Sequence, residues 1–332
     1  MSASVTSNLT LRQILAPVAG DIEQIDDVLR SITTIDYPLV QQGMEAIIAA
    51  GGKRLRPAIL FLAAKFNTYD LERLLPMSAA IELLHTATLV HDDTIDRALM
   101  RRGLPTLNTF LDEGTTVLAG DYLFAKSAVL STMGGVQRAT RIFAEALVAI
   151  CEGELEQKFA SKHLHTSIER YYKRIYSKTA ALFAAAAEIG AVLSDAPEDQ
   201  VRSLRQYGRQ IGMAFQVIDD ILDMQATSQE LGKPSGADLR QGTVTLPTII
   251  YLETASNSER EGVRSVVEGE SRHDGLASEI LARISASGAL ESAYQVARKF
   301  AAEAKETLAG FPDMPERKAL LDLADFAVER TF

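Results

Sequence analysis

The sequence predicts an all-α fold, a single-domain bundle of about ten to twelve helices around a central cavity, and three observations carry that prediction. Apolar residues recur at three- and four-residue spacing over nearly the whole chain, the period of one helix face. Period-two alternation between turn pairs, the mark of a half-buried strand, is almost missing. Breakers fall where helices would start or connect, at Pro57, Pro76, Pro105, Pro197, Pro234, Pro247, Pro312 and Pro315, and at the turns Gly51-Gly52, Gly134-Gly135 and Gly242. With 332 residues, 47% of them hydrophobic and 23% charged, one large core can form, so residues 1–332 are read as one domain.

Composition excludes several classes of function. A formal charge of −10 leaves no basic stripe for nucleic acid, so any anionic ligand must be met locally. The single cysteine, Cys151, allows no internal disulfide and no thiolate metal pattern, and reads as a small buried hydrophobe. Met1 to Arg12 lacks a basic segment followed by an apolar one, which points to the cytoplasm. The longest apolar stretch, Ala180 to Leu193, is interrupted by Glu188 and Gly190, falls short of a membrane span, and is expected to be a buried helix.

Two long helices are expected, from near Leu71 to Asp96 and from Pro197 to about Met224, and each ends in the same acidic pattern. Asp92-Asp93-Thr94-Ile95-Asp96 and Asp219-Asp220-Ile221-Leu222-Asp223 both set their outer aspartates four apart, one turn above each other on one face. The lead-ins, Ile81-Glu82-Leu83-Leu84 and Ile211-Gly212-Met213-Ala214-Phe215, are largely apolar, so the patches belong to buried helices rather than to solvated faces. Two carboxylates about 4 Å apart repel by roughly 4 kcal/mol at an effective dielectric near 20, and such a site wants cations. Oxygen donors without histidine or thiolate pairs favour hard ions, and Mg²⁺ characteristically binds through one or two carboxylates plus substrate phosphate oxygens. His91, beside Asp92, reads as a supporting or packing residue.

A metal-bridged phosphate also needs cations. Gly51-Gly52-Lys53-Arg54-Leu55-Arg56-Pro57 places three in a glycine-initiated turn just before a helix, where free amides and the helix dipole favour phosphate. Arg101-Arg102-Gly103 follows the first aspartate cluster, and Lys178-Thr179 and Lys233 are further candidates. Each alone would pass for surface charge; together with the paired aspartates they describe a diphosphate site.

On these residues the chain resembles the all-trans polyprenyl (isoprenyl) diphosphate synthases, of long-chain type, over nearly its whole length. Asp92 to Asp96 looks like the family's first aspartate-rich motif, Asp219 to Asp223 like its second, and Gly51 to Pro57 like its basic turn. Lys178-Thr179-Ala180, Phe215-Gln216 and Gly232-Lys233-Pro234 stand in the expected order. The resemblance implies the isoprenoid synthase type of helical bundle, a homodimer, and three Mg²⁺ ions ligated by Asp92, Asp96 and Asp219, with Asp93, Asp220 and Asp223 in support. Arg101, Lys178 and Lys233 would then contact the allylic diphosphate, farnesyl or geranylgeranyl diphosphate. Lys53, Arg56, His85 and Arg102 would bind isopentenyl diphosphate. Thr179 and Gln216 would lie near the developing carbocation, and Phe215 beneath the isopentenyl group. In one respect the chain departs: many relatives carry a lysine where Thr243 stands, so phosphate contacts from residues 238–243 are in doubt.

The implied activity is a prenyl transfer by ionisation, condensation and elimination, with no side-chain nucleophile. The growing chain has one apolar direction open to it, along the helix from the aspartates toward Leu84 and Ile81. By resemblance the residue five before the first aspartate helps set the floor, and here Ala87 and then Thr88 are small, so a C30 to C50 product is expected. Leu84, Leu123 and Phe124 could close the path lower down, which keeps a C20 synthase open as the alternative. A non-catalytic subunit of a heteromeric synthase would have lost its aspartates, and a terpene cyclase would want one diphosphate site and an aromatic cavity, whereas this chain has no tryptophan and 6% aromatics.

Overall fold

The computed structural model describes residues 9–101, 103–164, 166–225, 235–269 and 274–330. Its helices are α1 (Leu11–Ile14), α2 (Ala19–Ile32), α3 (Pro38–Ala50), α4 (Leu55–Ala64), α5 (Leu71–Ile95), α6 (Glu113–Met133), α7 (Gln137–Ala160) and α8 (Ile168–Ile175). A π-helical turn, Tyr176–Ala180, leads into α9 (Ala181–Leu193), and α10 (Glu198–Gln225) follows. After these come α11 (Ala237–Arg240), α12 (Leu246–Thr254), α13 (Asn257–Val267), α14 (Asp274–Ala286), α15 (Ala289–Glu306) and α16 (Pro315–Glu329). The fold is all-α, as expected, although the helices outnumber the about ten to twelve that breakers suggested. Residues 237 onward account for much of the excess, because caps there rest on Ser256 and Gly288 as well as on proline. Among the described residues the one sheet is a two-stranded hairpin, Met100–Arg101 against Leu104–Pro105.

The two helices that carry the aspartates run nearly as expected. The Asp70 side chain accepts from the Glu72 N–H at the start of α5, and Asp96 caps its end. Glu198 opens α10 just after Pro197. Apolar side chains gather in two clusters. One is built by α2, α4, α5 and α9 around Ile25, Phe61, Ile81 and Phe183, and the other by α10, α12, α14 and α15 around Val217, Ile249, Ile284 and Ala293. Helix α10 gives Tyr207 and Ile211 to the first and Ile218 and Ile221 to the second, so its acidic end stands where the clusters meet.

Ala180 to Leu193 is buried helix, but the helical run begins earlier than the sequence indicated. From Ile168 to Leu193 it is 26 residues, long and apolar enough to cross a membrane by length and composition, with 83% of its apolar window packed inside the protein. Burial between other helices accounts for that composition without a bilayer.

Candidate active site

The two aspartate clusters face a common region because the π-helical turn lies between them. Lys178, on that turn, puts Nζ 2.8 Å from Glu154 Oε1 and 3.8 Å from Asp92 Oδ2. The same lysine lines a cavity with Gln216, Asp220 and Asp238. Opposite charges hold its pKa up against the cost of burial, so it stays a cation. Two glycines make the turn's position possible. A Cβ on Gly153 of α7 would stand 2.8 Å from Ser177 Cβ and 3.1 Å from the Lys178 nitrogen, and one on Gly212 of α10 would stand 2.6 Å from Ala180 Cα. Any larger residue at either place would push the turn away.

Within the first cluster the three carboxylates are treated differently. Asp93 is buried, and Arg101 Nε donates to its two oxygens at 2.9 and 3.0 Å. The loop beyond is fixed by Asn108, whose amide donates to the Asp93 and Ala98 carbonyls, and by the hairpin that carries Arg101. Asp96 is exposed. Asp92 is half-buried, and burial, opposed by Lys178, lifts its pKa to about 6. His91 turns toward α6, with Nε2 3.2 Å from the Val117 carbonyl and its ring 5.2 Å from Phe124.

In the second cluster Asp219 is half-buried, while Asp220 and Asp223 are buried. Tyr171 donates its hydroxyl to Asp220 Oδ2 at 2.7 Å and Gln216 Nε2 donates to Oδ1 at 2.8 Å. The Thr179 hydroxyl donates to Gln216 Oε1 at 2.5 Å, which ties the π-turn to α10. Burial pushes Asp220 up to about 7, with Asp238 adding to the shift and these hydrogen bonds opposing it. Asp223 Oδ2 accepts from the Asp238 backbone N–H at 3.1 Å. Asp219 Oδ1 is paired at 2.6 Å with Arg330 Nη2, near the chain's end.

Arg330 and three aromatic rings define a separate basic wall. Its guanidinium lies 3.6 Å from the Phe215 ring centroid and donates to the Phe215 carbonyl. Arg56 lies 4.4 Å over Phe183, which packs against Phe215, and Lys53 lies 5.4 Å over Phe326. Arg54 braces this turn. With φ +48° it closes the loop before α4, and it is pinned by Glu82 at 2.7 Å and Asp26 at 2.9 Å, which holds in place the turn that carries Lys53 and Arg56. His85 is half-buried on α5, two turns before Asp92. Arg102 and Lys233 lie outside the described residues.

Leu84 and Ala87 are wholly buried beneath the first cluster, Leu123 of α6 is nearly so, and Phe124 is half-buried. Thr88 is half-buried, its hydroxyl donating to the His85 carbonyl. Reading the sequence missed Glu154, Tyr171, Arg330 and the two glycines. None had a distinctive local signal, Arg330 being one cation after a helix that also holds Glu316, Arg317, Lys318, Asp322, Asp325 and Glu329. Cys151, expected to be buried, is instead exposed on α7.

A helical bundle that sets two aspartate-tipped helices and two groups of cations around one region has the charge pattern of a site for a polyanionic ligand such as a diphosphate. The family profile "Polyprenyl synthetase" matches residues 37–284. Component 2 of the heptaprenyl diphosphate synthase of Geobacillus stearothermophilus is 35% identical over 98% of this chain and 100% of its own length. A decaprenyl diphosphate synthase from Rhodobacter capsulatus superposes with a TM-score of 0.91 at 38% identity, covering 97% of this chain and 100% of the other. A polyprenyl synthase from Caulobacter crescentus, solved with calcium and isoprenyl diphosphate, gives 0.93 at 35% identity, covering 97% and 98%. The chain belongs to the polyprenyl synthetase family and is a prenyltransferase.

Proposed function

We propose that this enzyme extends an allylic diphosphate, farnesyl or geranylgeranyl, with isopentenyl diphosphate to a C30 to C50 chain, at the site between α5 and α10. The observation that carries this reading is Lys178, which reaches Asp92 of the first cluster while lining a cavity with Asp220 of the second. The resident ions are Mg²⁺, three of them, and the donor set fits. The donors are all oxygen, and among the described residues no three acidic, histidine or cysteine side chains close a cage by themselves, which suits an ion that takes the rest of its shell from phosphate and water. Asp92, Asp96 and Asp219 would be the ligands: Asp93 and Asp220 have both oxygens committed to hydrogen bonds and Asp223 is buried against the Asp238 backbone, whereas Asp92 and Asp219 are half-buried and Asp96 is exposed, Asp219 meeting Arg330 through Oδ1. The Caulobacter relative was solved with calcium and isoprenyl diphosphate together, which supports the same assignment.

Bound Mg²⁺ would supply the charge that stabilises the departing diphosphate. Lys178 and Arg101 hold that diphosphate from the protein side, and Lys53, Arg56, His85 and Arg330 hold isopentenyl diphosphate against Phe215. The allylic C–O bond breaks and its electron pair leaves with diphosphate. Thr179 and Gln216 present oxygens toward the resulting cation, the isopentenyl double bond attacks it, and the proton then lost goes to the released diphosphate. Arg102 and Lys233 belong to the same two binding groups. The product grows past Ala87 and Thr88 toward Leu84, Leu123 and Phe124, and long-chain relatives such as the heptaprenyl and decaprenyl synthases favour this over a C20 product.

The enzyme works in the cytoplasm as one catalytic domain and as a homodimer. Leu118, Val129 and Met133 share a face of α6 and are each at least 60% exposed, and Val148 and Leu155 continue the apolar surface on α7. A relative named as a component makes a mixed assembly the other outcome of sizing the protein in solution. Purified protein given Mg²⁺, isopentenyl diphosphate and farnesyl diphosphate should yield C30 to C50 products by mass spectrometry. Ala87→Phe should shorten them, and an unchanged product length would overturn the tunnel assignment.

A further inference from the structure

A second cation reaches the cavity that Lys178 lines. Arg174, on α8 and four residues before Lys178, is half-buried and shares that cavity with Lys178, Gln216, Asp220, Asp238 and Thr243. It also lines the neighbouring cavity bounded by Glu156 and Gly242, so it stands on the partition between the two. Two contacts fix it there. Nη2 donates to the Val244 carbonyl at 2.7 Å, and the guanidinium lies 5.5 Å from the ring of Tyr171, whose hydroxyl is bound to Asp220. Among the described residues the bond to Val244 is its one hydrogen bond, out of five N–H groups that a guanidinium offers. Its charge is felt at Asp220, whose pKa it helps to lower. A half-buried arginine held by one carbonyl and one ring, beside a lysine and buried acids, is placed for a ligand with several acceptor oxygens.

We infer that Arg174 is a further diphosphate-binding residue of the allylic site, supplying from α8 the positive charge that the loop at residues 238–243 lacks at Thr243. The inference rests on the reading that Lys178 faces the allylic diphosphate. Thr243 lines both cavities, and Val244, the next residue, is the one that Arg174 grips, so the guanidinium and that loop position address the same space.

A double-mutant cycle on the whole enzyme tests it, with Arg174→Gln, Thr243→Lys and the combination, each assayed with either substrate varied. Arg174→Gln should raise KM for the allylic diphosphate by about ten- to a hundred-fold, the worth of a lost charged hydrogen bond. KM for isopentenyl diphosphate should stay near the starting value. Thr243→Lys should do little alone yet recover most of the loss in the Arg174→Gln background. A purely structural arginine would instead raise both KM values or lower kcat, and Thr243→Lys would have the same effect in both backgrounds; either result overturns the inference. If Arg174→Gln melts far below the starting protein, Arg174→Met is read in the same way. Failure of the unaltered enzyme to saturate with any allylic diphosphate would instead overturn the assignment of the cavity.

Discussion

The two aspartate clusters have the same spacing on the same kind of helix, yet their surroundings divide the labour differently. In the first, one carboxylate is committed, Asp93 to Arg101, and the outer pair is left to face the site. In the second, two are committed, Asp220 to Tyr171 and Gln216 and Asp223 to the Asp238 backbone, and Asp219 alone is half-exposed, paired through Oδ1 with Arg330. A repeated motif thus fixes where carboxylates are, while the side chains and backbone packed around them decide which of them are available to a ligand.

Substitution is the strongest way to break that contrast. Asp92→Ala and Asp219→Ala should each lower turnover by about a thousand-fold, the scale of removing a group that organises transition-state charge. Steady-state assays at saturating Mg²⁺ check this. If Asp93→Asn were as damaging as Asp92→Ala, the division between committed and available aspartates would be wrong.

The turn between the clusters comes next. Gly153→Val puts side-chain atoms where Ser177 and the Lys178 backbone already stand, and overpacking of this kind costs about 1–3 kcal/mol. Thermal melting should fall accordingly, and KM for the allylic diphosphate should rise as Lys178 is displaced. A variant with unchanged melting and kinetics would show that α7 does not set the lysine's position.

Acidity sharpens the comparison further. Asp92 and Asp220 have native pKa values raised to about 6 and about 7, above the unfolded carboxylate, so between those values the native state binds more protons than the unfolded one. The contribution of these two groups to stability therefore falls as pH rises through that window. Bound Mg²⁺ would relieve the penalty at high pH, so stabilisation by Mg²⁺ with pyrophosphate, read by calorimetric melting, should be larger at pH 8 than at pH 5.5. Equal shifts would remove the aspartates from the metal site. The smallest effect belongs to Asp223→Ala, which strips an acceptor from the Asp238 N–H and should cost about 1 kcal/mol of stability.

Much of this was legible in the sequence. The helices that carry the aspartates are long and end in motifs, so periodicity and flanking residues found them to within a residue or so. Lys178 was legible as a cation beside a threonine, but the π-turn that aims it was not, because its geometry comes from Gly153 and Gly212 on two other helices. Tyr171 and Arg330 were missed for a related reason: their partners lie 49 and 111 residues away, and nothing in local spacing records such pairings. The C-terminal helices were under-counted because Ser and Gly caps signal less strongly than proline.

The central claim is that carboxylates from α5 and α10 hold one diphosphate through shared divalent ions. Anomalous diffraction from crystals grown with Mn²⁺ and pyrophosphate tests it most directly. Metal peaks should lie about 2.1 Å from oxygens of Asp92 or Asp96 on one side and of Asp219 on the other, each also touching a pyrophosphate oxygen. Peaks confined to one cluster, or pyrophosphate bound away from both, would contradict it.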